Sequence, residues 1–161
     1  MKTIRVSTVL TMMFIAAITF FATPIWAEDR DADNMEIVRE KVRADKKFFI
    51  AANMDLNERE ARAFWPVYED YQKALDKLNA LTGKLIEDYG RNYQSMSDMA
   101  AKTIVDDHLA IEMELVKLMQ SYLPRLRQAL PERKVARYYQ LENKIRAVVN
   151  FELARNIPLV K

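Results

Sequence analysis

From Ala61 onward, apolar side chains recur in alternating steps of three and four: Ala61, Phe64, Tyr68, Tyr71, Leu75, Leu78, Thr82, Leu85 and Tyr89. Such steps hold one stripe of an α-helix to one side, whereas a strand needs a step of two. The pattern persists through four heptads, which is a coiled-coil-like seam. A helix over 58–89 would be about 48 Å long at 1.5 Å per residue. Composition agrees. Two glycines in 161 residues cannot furnish the tight turns of a sandwich, a barrel or a doubly wound sheet. The absence of cysteine excludes disulfides and thiolate metal sites.

Signals at both ends frame that helix. Asn57 and Glu60 have the spacing of a capping box, and Leu56 precedes the cap where it can staple onto Ala61. Gly90 stands where a left-handed C-cap residue is expected. Pro66, inside the helix, predicts a bend.

Three further helices follow from similar patterns. Asp33 to Glu36 reads as another capping box, so a first helix is expected over about 34–52, with Met35, Val38, Val42, Phe49 and Ala52 on one side and Phe48 beside them. Residues 90–97 read as a loop, with Ser97 capping a third helix. That helix carries two stripes: Ile104, His108, Ile111, Leu115, Leu118 and Tyr122, and then Leu109, Val116, Met119, Leu123, Leu126 and Leu130. So broad an apolar face implies a position between neighbours, and Pro124 implies a kink. Pro131 opens a fourth helix, which Val135, Tyr138, Leu141, Ile145, Val148 and Phe151 carry to about Ala154. The apolar residues of the tail, 156–161, are expected to dock on the bundle.

The N-terminus sets the compartment. Lys2 and Arg5, an apolar run over 6–22, and Pro24, Ile25, Trp26 and Ala27 form an export signal, cleaved after Ala27. The alternative is an uncleaved anchor, at the short limit for spanning a bilayer. Either way the remainder, 28–161, is expected as one helical domain in a bacterial periplasm, where no ATP drives a mechanism. The whole chain has 25 bases and 23 acids. Without Lys2 and Arg5 they balance, and nothing suggests a nucleic-acid binder.

The stretches 56–65 and 130–139 echo one another at an offset of 74: Leu56 and Leu130, Glu58-Arg59 and Glu132-Arg133, and the closing pairs Phe64-Trp65 and Tyr138-Tyr139. Each is a leucine followed by a helix start. In this the chain resembles the LTxxQ family, the Spy/CpxP-type periplasmic chaperones and stress modulators, which carry two leucine-threonine-x-x-glutamine signatures. Leu56, Asn57 and Glu60 make a chemically equivalent first copy. In the second copy Leu130 is kept, but Pro131 and Lys134 replace the threonine and glutamine, so reciprocal capping bonds cannot form there. The resemblance implies a homodimer of long, bent, antiparallel helices in an elongated hairpin or cradle. It also implies ATP-independent shielding of unfolded or misfolded envelope proteins and a possible sensor-kinase or stress-signalling partner.

Two surfaces are candidates for client binding. Residues 87–114 hold seven acids against two bases, and 117–161 hold ten bases against three acids. The basic segment, with Arg125, Arg127, Arg133, Lys134, Arg137 and Arg146, either steers acidic or unfolded chains or pairs with acids inside the bundle or dimer. The aromatic residues Phe48, Phe49, Trp65, Tyr138 and Tyr139 include neighbours diverging by about 100°, so some must lie at an edge or interface. They either fill helix contacts or hold clients.

Chemistry has little to build on. His108, the single histidine, shares a helix face with Glu112. The pair could supply two ligands to a divalent metal, and zinc- or nickel-sensing relatives of the resembled family give the alternative of a periplasmic metal-responsive sensor or resistance protein. The bundle reading instead makes His108 a seam residue bonded to an acid or tyrosine. Asp106 and Asp107 diverge on a helix, and no nucleophile motif or phosphate-cradling loop is present. The expectation is a protein-binding domain, neither an enzyme nor dependent on a cofactor.

Overall fold

The computed structural model describes residues 28–160, with side chains from Lys41 onward. Among them the fold is all-α: α1 Glu28–Met54, α2 Glu58–Asn92, a 3-10 turn Tyr93–Ser95, α3 Asp98–Ala129 and α4 Glu132–Asn156. The expected export signal, and the side chains of Met35 and Val38, lie outside the described residues. No described helix is long and apolar enough to cross a membrane. The chain divides into two compact units, one ending at Asp55 and the other beginning at Leu56.

In the first unit, α1 is already helical at residues 28–33, so the expected start near Asp33 is corrected: the box spacing falls inside the helix. Acids at 28, 29, 31 and 33 suit the positive end of a helix dipole and remove the need for a later start. Its fully buried residues are Ile50 and Met54, one turn apart, whereas Ala52 and Phe48 are exposed. Asp55 follows at φ 49°, a left-handed conformation that aspartate tolerates better than most residues.

In the second unit, α2 begins as expected. Glu60 N–H donates to Asn57 Oδ1 and Asn57 N–H donates to Glu60 Oε2, both at 3.0 Å. All nine seam residues from Ala61 to Tyr89 are buried or half-buried. The helix continues through Gly90 to Asn92, and neither glycine has a positive φ. The expected left-handed cap at Gly90 is therefore absent, and the 3-10 turn closes the helix instead. Pro66 and Pro124 both lie inside their helices. Ser97 caps α3, its Oγ accepting from Ala100 N–H at 3.2 Å.

Side-chain contacts fix the helix directions. Tyr122 Oη donates to the Asp70 carbonyl at 3.1 Å and Arg125 pairs with Asp70 at 2.7 Å, so α3 returns antiparallel along α2 from the turn at 93–97. Helix α4 runs parallel to α2: Lys134 meets Glu60, the Tyr138 ring meets Phe64, and Glu142 meets Gln72. At the far end Tyr89 Oη donates to the Pro158 carbonyl at 2.6 Å. The two halves of the sequence echo therefore lie side by side, with equivalent positions facing each other.

The core is aromatic. Tyr138, 1% exposed, packs edge-on against Phe64 at 5.2 Å and Tyr71 at 6.3 Å, and Tyr71 packs on Tyr122 at 5.4 Å. Such pairs contribute about 0.5–1.5 kcal/mol each beyond their buried area. Gln72 Nε2 donates to Glu142 Oε1 at 3.1 Å within this core. Burial first, and the Glu142 charge second, push the Tyr68, Tyr71 and Tyr138 hydroxyls well above their ordinary pKa of 10.

Candidate polypeptide-binding groove

Helix α3 presents only half of its apolar surface to α2. Ile104, Ile111, Leu115, Leu118 and Tyr122 are half-buried. The adjoining line, Val105, Leu109, Met113 and Val116, is between 53% and 58% exposed. Steps of four, four and three hold these four side chains to one face. The expectation that this helix lies between neighbours is thus corrected over its first half. Toward its end Leu126, and beyond it Leu130, are buried, because there α4 turns back against it.

Where α3 and α4 part, the exposed line runs into an open groove of about 470 Å³. Leu115, Val116, Met119 and Leu123 form its apolar wall, with Glu112, Gln120, Tyr139 and Arg146 around them. Tyr139 Oη donates to the Met119 carbonyl at 2.7 Å, anchoring the α4 side. From Val105 to Leu123 the continuous face is about 27 Å long at helical rise.

The residues singled out from sequence fall in several places. Leu56, Asn57 and Glu60 form the start of α2, as expected. Leu130 is buried, and Pro131 precedes α4 without a side-chain cap. Tyr138 belongs to the core and is corrected as a client contact, since its ring is enclosed by those of α2. Trp65 and Tyr139 are half-buried, Trp65 packing on Phe64 and Tyr68. On α1, Phe49 is half-buried and Phe48 is 69% exposed.

Among the bases, Arg125 pairs with Asp70, Arg127 with Glu132 at 2.9 Å and Lys134 with Glu60 at 2.5 Å. Much of the basic segment is therefore compensated by acids of its own unit. Arg125 also lies over the Tyr122 ring and holds the Asp70 carboxyl below its usual range. Arg133 and Arg137 are exposed.

His108 is exposed rather than seated on the seam. Glu112, also exposed, lines the groove. Among the described residues no three histidine or carboxylate side chains converge. The tail is corrected in part: Leu159 and Val160 are exposed, whereas Ile157 is half-buried and the Pro158 carbonyl accepts from Tyr89 Oη.

Leu109, Val116 and Arg146 stand out in the sequence one by one, but their place on one free surface does not. The signal was the second stripe of α3, wider than one partner helix can cover. Comparison with known proteins adds nothing to this geometry: no family model, curated protein or solved structure matches the chain.

Proposed function

We propose that the chain is an exported, ATP-independent holding chaperone or envelope-stress modulator, as its resemblance to LTxxQ-type proteins implies. Unfolded segments are captured on the α3 face and in the groove at its end. The observation that carries this reading is the uncovered line Val105, Leu109, Met113 and Val116, large apolar side chains on one helix face leading into an apolar groove. A contiguous patch of this kind is the usual mark of an interaction surface.

Magnitudes favour weak capture. Fully burying one such side chain contributes about 1.5–3 kcal/mol. Four half-exposed ones therefore supply roughly 4 kcal/mol, which corresponds to millimolar affinity before association costs. Clients leave readily, as a protein without an energy source requires. Several contacts along one client raise the net affinity by avidity.

The test is light scattering from a reduced or urea-diluted client with and without the purified chain. The reading requires suppression of aggregation for unrelated clients. Unchanged scattering at stoichiometric excess would sink it.

A further inference from the structure

Arg146 is set apart from the paired cations of its unit. It is half-buried, yet its contacts are neutral: Nη2 donates to Asn143 Oδ1 at 3.0 Å and Nη1 to Met119 Sδ at 3.4 Å. Among the described residues it has no carboxylate partner, whereas Arg125, Arg127 and Lys134 each have one. Thioether sulfur is a poor acceptor, and a guanidinium offers five N–H donors. The nearest acid on its own helix, Glu142, one turn earlier, is bonded to Gln72 in the core, so a guanidinium partly withdrawn from water with neutral direct contacts keeps donors to offer an anion in the groove.

The anion's surroundings are specified too. Leu115, Val116, Met119 and Leu123 line the same groove, so a small hydrated ion would leave the walls unsatisfied. Glu112 lies seven residues before Met119 on α3, about 10 Å away along the axis. That acid repels a carboxylate from its own end of the groove and confines the anion to the Arg146 end.

We propose that the groove receives an apolar client segment through an aspartate or glutamate carboxylate that docks on Arg146, so that the preferred client segments are apolar stretches carrying an acid. This rests on the holding function above and specifies its client chemistry. Guanidinium and carboxylate match in a planar, two-bond geometry that a lysine would not reproduce.

The test is fluorescence anisotropy with three labelled peptides, acetylated and amidated, of one leucine- and phenylalanine-rich sequence with a central aspartate, asparagine or lysine. The purified chain should bind the aspartate peptide about tenfold more tightly than the asparagine peptide. Arg146→Gln should erase that difference, Arg146→Glu should shift the preference to the lysine peptide, and Glu112→Gln should keep the aspartate preference. Circular dichroism on each variant checks that the helices are intact. Equal binding of the aspartate and asparagine peptides, a preference that survives Arg146→Gln, or a groove closed by a second copy of the chain would overturn the proposal. Scattering suppression is read separately: if it persists without peptide discrimination, the docking fails and the holding function stands; if discrimination appears without suppression, the reverse holds.

Discussion

One oxygen of Glu60 serves two helices. Oε2 accepts from the Asn57 N–H at 3.0 Å, closing the cap of α2, and from Lys134 Nζ at 2.5 Å on α4. Glu60 and Lys134 occupy equivalent positions in the two copies of the sequence echo. The second copy lacks the residues needed to cap itself, and its lysine pairs instead with the capping acid of the first. The echo therefore has a structural meaning: two helix starts lie parallel and are joined at matching positions.

That joint gives a pH dependence of definite sign. Lys134 and the Asn57 amide hold the Glu60 carboxyl below its ordinary value of 4.5. A lowered folded-state value contributes stability that is fully present above 4.5 and is lost as the pH falls through the folded value. Glu60→Gln should therefore lower the melting temperature at neutral pH, with the gap to wild type closing on acidification below 4.5. Thermal melts followed by circular dichroism across that range check it. A gap independent of pH would mean that the amide loses packing rather than charge.

The two helix starts should respond unequally to cap changes. Asn57→Ala removes one bond of a complete box and should cost about 1 kcal/mol, or roughly 4–8 °C in a unit of this size. At the other copy, Pro131→Asn installs a cap oxygen worth about 1 kcal/mol but frees the unfolded chain, which costs about 0.4–1 kcal/mol. The net change there should be close to zero. Urea titrations of both variants decide it.

Legibility from the sequence followed the number of neighbours each residue acquires. The α2 seam was readable because one stripe meets one continuous surface, and the Asn57 box because its bonds are local. The start of α1 is not legible, since a capping-box spacing inside a run of acids looks the same whether or not a helix begins there. Tyr138 and Tyr139 are adjacent and chemically alike, yet Tyr138 enters the core while Tyr139 reaches across to the Met119 carbonyl. The stripe Val135, Tyr138 and Leu141, buried throughout, already sets Tyr138 on the inward face of α4, whereas the partner that Tyr139 finds depends on where α3 and α4 part, which no local pattern encodes. Of the exposed α3 line, Leu109 and Val116 belong to an apolar stripe legible in the sequence and Val105 and Met113 do not, and the freedom of all four depends on where α4 parts from α3.

Alkaline titration should separate core tyrosines from the others. The raised values at Tyr68, Tyr71 and Tyr138 mean that their stabilising effect is present below pH 10, the unfolded value, and is lost as the pH climbs toward the folded values. Part of the tyrosinate absorbance at 295 nm should therefore appear only together with loss of helical ellipticity. Smooth ionisation of all seven tyrosines ahead of unfolding would contradict the enclosed core.

Core and surface can be told apart by paired substitutions. Tyr138→Ala empties an enclosed site and should cost about 3–5 kcal/mol. Tyr138→Phe should cost far less, since the hydroxyl's contact with Gln72 is long, at 3.5 Å. By contrast Leu109→Asp with Val116→Asp changes two side chains that are already more than half exposed, so each should alter stability by no more than about 0.5 kcal/mol. If the α3 face captures clients, the double variant should keep its melting temperature and lose most of its suppression of client aggregation. Full suppression by a stable double variant would move the binding surface off this helix.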